Sequence, residues 1–437
     1  MAMATPSSLN IMHVHWGFPP TIGGVETHLT YLLPELVSNG HHVRLLTGAF
    51  TGEKVRSRYR GVDVYRTPLL DLNWLVKRGL EGLELDLERF YTDHILKFRP
   101  DLVHTHNMHY FSEPHIKILE RICDSRQIPL MLTAHNVWDD TLFLRLTRDV
   151  NWAHIIAVSD YIRMELRGVG VPPSRTTTIH HGIALNDYPL NKGCASVFKK
   201  YPQLVNKRIV FHPARMGLAK GCDVTIKAMR VVADRIPDSM LVLAGSKNII
   251  DWEVSQERDI AYIVDLIRTL GLAERSLIDV FPLEFMPDMY RVSDVVVYPS
   301  SVAEPFGLTM LEAFASARPI IVTDMGGMPE VVESDVSGYV VHQRDFEALA
   351  DRIVSLLKDR RLRERIGSSG RRILERQYTK EIMTEAHLRV YSQVLDQAER
   401  RLAHEEGGTR RSLEEGALAG RGPIPASPRD GDRAEIN

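Results

Sequence analysis

The chain has 437 residues, 44% hydrophobic, 25% charged and 7% aromatic, the profile of a folded protein of about two domains rather than of a disordered or collagen-like one. With 54 Lys+Arg against 56 Asp+Glu the formal charge is −2, so no bulk positive charge is available to neutralise a nucleic-acid backbone. The three cysteines, Cys123, Cys194 and Cys222, form no C-x-x-C pair, which argues against a disulfide framework or a cysteine zinc site and for a reducing, cytoplasmic compartment.

Met1 to Asn10 lacks the basic-then-apolar run of a signal peptide, and no stretch reaches the ~20 apolar residues of a membrane span. From Asn10 the runs IMHVHW, VETHLTYLLPELVSNG and HHVRLLTG predict strand, helix and strand, the opening of a parallel α/β sheet. Residues 74–98 read as one amphipathic helix. Its acids Glu81, Glu84, Asp86, Glu88 and Asp93 offset its bases, so it is expected to pack or gate an acceptor rather than lie on anionic lipid. The apolar runs DLVHTH, IPLMLTAH, HIIAVS and TTTIHHG complete the first domain, each ending in a polar loop where an open α/β sheet places its crevice. Ile183 to Asn206 is rich in turn formers and reads as a connection.

A second series follows: strands RIVFHPA, SMLVLAG, SLIDVF, DVVVYPS, RPIIVTD and SGYVV, with helices near 220–235, 257–271, 308–317, 345–358 and 380–404. The segment after Glu405 has little to bury and reads as a disordered tail.

The chemistry concentrates at strand ends of the second series. Pro305 disfavours helix at Glu304, so a helix opens near Gly307 and carries Glu312 in its early turns. Phe306, Gly307, Leu308 and Thr309 then offer backbone N–H groups at a helix N-terminus, a natural anion site, flanked by two acids that can accept from sugar or ribose hydroxyls. A second glycine-rich loop, MGGMPE, follows the next strand. Arg215 and Lys220, in HPARMGLAKGCD, follow the first strand; two cations beside a helix N-terminus make a diphosphate site without a metal. Taken singly, each acid would more often cap a helix and each base would more often be a surface charge.

In combination, EPFGLT with a second Glu eight positions after the first, R-x4-K-G after a strand, GGVE (Gly23 to Glu26) and TAH (Thr133 to His135) resemble the family 4 retaining glycosyltransferases of the GT-B fold. The resemblance covers about Asn10 to Leu402. It implies two Rossmann-like doubly wound domains facing across a deep cleft: an acceptor-binding domain over 1–185, a nucleotide-sugar domain over 186–385, a helix over 386–405 crossing back, and the tail over 406–437. It also implies that Arg215 and Lys220 bind the donor diphosphate, Glu312 the ribose, and Glu304 with the backbone of Phe306, Gly307 and Leu308 the transferred sugar. Gly23 and Gly24 would approach the phosphates from the other domain, and His135 would lie beside the reacting carbon. The reaction implied is a metal-independent hexosyl transfer from a nucleoside diphosphate sugar, UDP-linked by preference, to a small-molecule or glycan acceptor, with no bound cofactor, nucleic acid or transmembrane segment. Two places depart from the pattern: His181-Gly182 replaces the common Asn-Gly, a change expected to alter only a turn, and VFPLEF replaces a Phe-x-Gly near the nucleotide base.

An NAD-linked oxidoreductase fits poorly, because no G-x-G-x-x-G follows the first strand. A sugar phosphorylase or nucleotide-sugar epimerase would use the same cations and stays as the alternative. His104, His106, Asn107 and His109 could suggest a metal, but no Asp or Cys pattern accompanies them, so acceptor contacts or loop structure are expected instead.

Overall fold

The computed structural model describes residues 8–245 and 253–419. Parallel strands need both faces covered, and short Val/Ile/Leu-rich runs alternating with amphipathic stretches supply that arrangement twice. The first sheet comprises β1 (Asn10–Val14), β2 (His42–Gly48), β3 (Arg56–Tyr59), β4 (Val62–Thr67), β5 (Leu102–His106), β6 (Leu130–Ala134), β7 (His154–Ala157) and β8 (Thr176–Thr178). Their order is β3-β4-β2-β1-β5-β6-β7-β8, parallel except for the β3–β4 pair. The second comprises β9 (Arg208–His212), β10 (Ser239–Gly245), β11 (Ser276–Val280), β12 (Val295–Tyr298), β13 (Ile320–Thr323) and β14 (Gly338–Val341), in the order β11-β10-β9-β12-β13-β14 and parallel throughout.

Both orders reverse direction beside their first strand, at β1/β5 and at β9/β12. Loops leaving such a pair diverge to opposite faces and open a crevice at the strands' carboxyl ends. Across these two pairs His13 sits in register with His104, and Val210 with Val295. One apolar cluster runs from Met12 and Val103 of the first sheet to Phe211, Phe306 and Met310 of the second domain, so the two halves share packed surface.

Three features differ from the sequence reading. The β3–β4 hairpin was not anticipated, since the edge strand RSRY is exposed or half-exposed and carries no apolar run. Residues 74–98 do not form one helix: Leu72–Arg78 and Glu84–Phe98 are separate, divided by Gly79 and Gly82 at φ 83° and 71°. The helix Arg360–Gln377 was also missed, because its GSSG centre reads as a break.

The last helix, Lys380–Ala419, starts before residue 386 and continues past 405 into the segment expected to be a tail; residues 420–437 of that tail lie outside the described residues. It lies on the first domain, where Met383, Val390, Tyr391 and Val394 pack with Leu29, Leu32 and Leu36, and Lys380 pairs with Glu35. The two chain crossings between domains touch: Ile183 N–H donates to Tyr378 O at 3.1 Å and Lys380 N–H to Ile183 O at 3.1 Å. A Cβ on Gly182 would stand 2.2 Å from Thr379 O, so only glycine permits this approach.

Gly367 explains why the Arg360–Gln377 helix tolerates its unfavourable centre: a Cβ there would stand 2.1 Å from Ala317 O, beside the helix that carries Glu312. Gly367→Ala should lower stability by about 1–3 kcal/mol through this overlap, despite alanine's better helix propensity. Gly168→Ala, where a Cβ meets nothing within 4 Å, should be neutral or stabilising by up to about 1 kcal/mol. Equilibrium denaturation of the two variants compares them.

Candidate active site

The loop after β9 reaches the end of β12 because Gly221 takes φ 74° and carries no side chain; a Cβ there would overlap Pro299 O at 1.8 Å. That contact brings Lys220 to the base of the second crevice. Its ammonium donates to Glu304 Oε2 at 2.7 Å and to the Tyr298 hydroxyl at 3.1 Å, while the Tyr298 O–H donates to the same Glu304 oxygen at 2.6 Å. Burial alone would lower the Lys220 ammonium, but Tyr298 and Glu304 beside it more than reverse this and hold it above the usual lysine range. Lys220 is thus a cation fixed by its pairing with the acid. Arg215, in the same loop, is exposed.

The main chain of Glu304 is gripped from the loop after β13. Gly326 adopts φ 63° and pairs with Glu304 in a parallel bridge, and Gly327 N–H donates to Glu304 O at 2.8 Å. A Cβ on Gly326 would meet Glu304 O at 2.2 Å. The glycines of MGGMPE therefore serve to hold Glu304 in place.

Phe306 is 1% exposed, and Gly307, at φ 92°, opens the helix Leu308–Ala315 without a capping side chain, so the first N–H groups of this helix, at Leu308 and Thr309, gain no bond from the cap. Four residues into the helix, Glu312 accepts from the Tyr290 hydroxyl at 2.5 Å. Burial raises the Glu312 carboxyl above its ordinary range, and hydrogen bonds from Tyr290 and Tyr188 offset part of that. Tyr298, Tyr290 and Tyr188 were not singled out from sequence; only Tyr298, closing the strand DVVVY, stood near a recognised motif.

On the first-domain side, Gly23 and Gly24 begin the helix Gly24–Ser38. Cβ atoms on Gly17 and Gly23 would stand 2.2 and 2.3 Å from the Glu26 carboxylate, which lies 3.2 Å from His15 Nε2. A Cβ on Gly24 would meet nothing within 4 Å. Gly23 is thus small to admit Glu26, whereas Gly24 faces open space.

His135 follows β6. Its backbone N–H donates to Asn107 Oδ1 at 2.8 Å, and its ring lies parallel to that of His181 at 5.3 Å. His181 does more than shape a turn: its Nδ1 is 2.9 Å from His28 Nδ1, and its ring meets Phe306 edge-on at 5.0 Å. His109 bonds the Asn136 carbonyl at 3.0 Å, a loop contact. His104 lies between the Thr133 and Tyr391 hydroxyls, 2.7 Å from each. The ring nitrogens of His13, His104 and His106, and of His28, His106 and His135, converge within 4.8 Å, close enough for a cation. Neither set includes a carboxylate or thiolate, and both nitrogens of His104 and of His106 already have partners.

Glu330 ties the halves together. Its carboxylate accepts from the Asp160 and Tyr161 N–H groups at 2.7 and 2.6 Å, at the start of a first-domain helix, and lies 3.3 Å from His180 Nε2. The loop that grips Glu304 is thus anchored across the cleft.

Residues 22–187 match the family model described as Glycosyltransferase Family 4, and residues 196–373 the one described as Glycosyl transferases group 1. A glycosyltransferase of Methanocaldococcus jannaschii is 25% identical over 406 residues, spanning 88% of this chain and 98% of its own. Spore coat protein SA of Bacillus subtilis is 32% identical over 251 residues, spanning 55% of this chain and 64% of its own. A glycosyltransferase of Rickettsia africae superposes with a TM-score of 0.73 at 19% identity, covering 89% of this chain and 99% of that one. An Anabaena protein crystallised with UDP and glucose gives 0.71 at 18% identity, covering 88% and 99%. At these identities the structural likeness is one of fold. No described helix is long and apolar enough to cross a membrane.

The raised Glu312 carboxyl carries a stability cost. A folded-state pKa above the unfolded value means the proton is held more tightly in the folded protein, and that contribution fades as pH rises through the raised pKa. At neutral pH the ionised group therefore works against folding. Glu312→Gln should melt at the same or a higher temperature than wild type at pH 7.5, with the difference shrinking as pH falls toward the ordinary glutamate range; melting curves across pH check it.

Proposed function

Since the chain belongs to the family 4 glycosyltransferases and has their GT-B fold, we propose that it transfers a hexose-type unit from a UDP-sugar to a small-molecule or glycan acceptor, retaining the anomeric configuration. The observation that carries this reading is the convergence of Lys220, Tyr298 and Glu304 at the β9/β12 crevice beside an uncapped helix N-terminus. One fixed cation, one positioned carboxylate and N–H donors that receive no side-chain cap suit a sugar diphosphate.

In this reading Arg215 and Lys220 neutralise the diphosphate as it departs, without a metal ion, and Lys220 is shared between Glu304 and a phosphate oxygen once donor binds. The N–H groups of Leu308 and Thr309 face the same charge, Gly24 leaves room for it from the other domain, and Glu312 accepts from the ribose. Glu304 and His135 flank the transferred sugar. Glu26 is a poor covalent nucleophile, enclosed by Gly17 and Gly23 and paired with His15. A front-face displacement suits the site better: the leaving diphosphate takes the acceptor's proton, while the protein supplies position and preorganised charge.

Arg215→Ala removes a charge-assisted contact worth about 1.5–3 kcal/mol, so UDP-sugar affinity, measured by calorimetry, should fall at least tenfold. EDTA should leave turnover intact; loss restored by magnesium or manganese would overturn the metal-free site. Accumulation of sugar phosphate with orthophosphate, or of an epimer with donor alone, would instead favour phosphorylase or epimerase chemistry.

Glu304→Gln should lower kcat by about tenfold or more while changing donor KM less, because the charge it answers develops on the sugar ring in the transition state. Glu312→Gln should mainly raise donor KM. Steady-state kinetics on the two folded variants separates the roles, and a wild-type kcat in Glu304→Gln would remove that residue from the reacting sugar.

A further inference from the structure

The first-domain crevice holds a histidine cluster that donor binding alone does not explain. Within it runs a line of three imidazoles from adjacent strands. His13 Nδ1 lies 3.0 Å from His106 Nε2, and His106 Nδ1 lies 3.0 Å from His135 Nε2. The two end atoms, His13 Nε2 and His135 Nδ1, are buried with no hydrogen-bond partner among the described residues. Burial keeps the line neutral: His13 is lowered to about 3, and His106 and His135 well below the usual histidine range.

A neutral imidazole has one N–H and one lone pair. In a line joined this way each ring's choice fixes the next, so either all three protons sit on Nδ1 or all sit on Nε2. In the first arrangement His135 presents an N–H at its far edge and His13 a lone pair; in the second the two are exchanged. The internal hydrogen bonds are equal in number in both, so the group beside His135 Nδ1 decides between them. His135 Nδ1 is left without a partner at the end of the line, and the His135 ring stacks on His181, whose ring touches Phe306 of the loop that follows Glu304.

We propose that His106 and His13 are positioning residues for His135, locking the line with every proton on Nδ1 when a substrate oxygen occupies the crevice, so that His135 meets that oxygen with an N–H and not a lone pair. The identity of the oxygen, a sugar or leaving-group oxygen, rests on the glycosyl-transfer reading; the line itself does not. Substrate recognition thereby reaches into the sheet, because a choice made at β6 is registered at β5 and β1.

The test is nitrogen NMR of protein labelled at histidine, in EDTA, with signals assigned through His135→Asn and His13→Gln. In the free protein the three residues should show the same tautomer populations, and saturation with UDP-glucose should place all three protons on Nδ1. Unequal populations among the three in the free protein, or a bound state with His135 protonated on Nε2, would overturn the proposal. Equal populations without UDP-glucose binding by calorimetry would uphold the line and count against the donor reading. His106→Leu should leave His135 in mixed tautomers and lower kcat roughly tenfold or more, with UDP affinity unchanged. His106→Asn, whose amide can donate at the Nδ1 position, should restore both. A wild-type kcat in His106→Leu would also refute the positioning role. Should that variant fail to fold, the wild-type spectra decide alone.

Discussion

Glu304 carries its charge in a half-buried place, and much of the second domain is arranged so that it can. A carboxylate removed from water needs partners for its oxygens, and losing one partner costs more than the bond itself. Lys220 and Tyr298 supply the partners; Gly221 lets the Lys220 loop cross the end of β12, and Gly326 and Gly327 fix the main chain of Glu304 from the other side. Three strand ends, β9, β12 and β13, thus meet at one residue. They can do so because β9 and β12 are neighbours at the point where the strand order reverses.

The first domain meets the same need without charge. Its crevice is floored by imidazoles kept neutral by burial, joined to one another and to Thr133 and Tyr391. Tyr391 comes from the C-terminal helix, nearly three hundred positions away in sequence. That helix therefore does two things at once: it closes an apolar face against Leu29, Leu32 and Leu36, and it satisfies a nitrogen of the histidine floor. A buried polar network of this kind rigidifies the crevice only while every member keeps its partners.

The halves are joined by polar contacts at the site and by chain crossings beside it. Glu330 answers the open N–H groups of a first-domain helix from the loop that grips Glu304, so a shift of one domain against the other is felt directly at the acid. At the crossing, Gly182 and Ile183 lie against Tyr378, Thr379 and Lys380, fixing where the connection and the last helix pass each other.

The sequence by itself determined what depends on neighbours along the chain. Apolar runs alternating with amphipathic stretches place the strands of two parallel sheets, missing only the polar hairpin β3–β4. Pro305 and Gly307 place a helix start between Glu304 and Glu312, and the motifs resemble those of the family whose models match residues 22–187 and 196–373. Tertiary structure decided what depends on contact between distant segments. The pairing of Lys220 with Glu304, the three tyrosines on the acids, the clasp by Gly326 and Gly327 and the reach of Glu330 join residues from different strand ends, which no local pattern encodes. Gly367 shows the limit most clearly: locally it reads as a helix breaker, yet it sits inside a helix because Ala317 O passes where a side chain would be. The histidines follow the same division, their positions on β1, on β5 and just after β6 following from the strand pattern, and their linkage from the parallel register that sets those strands side by side.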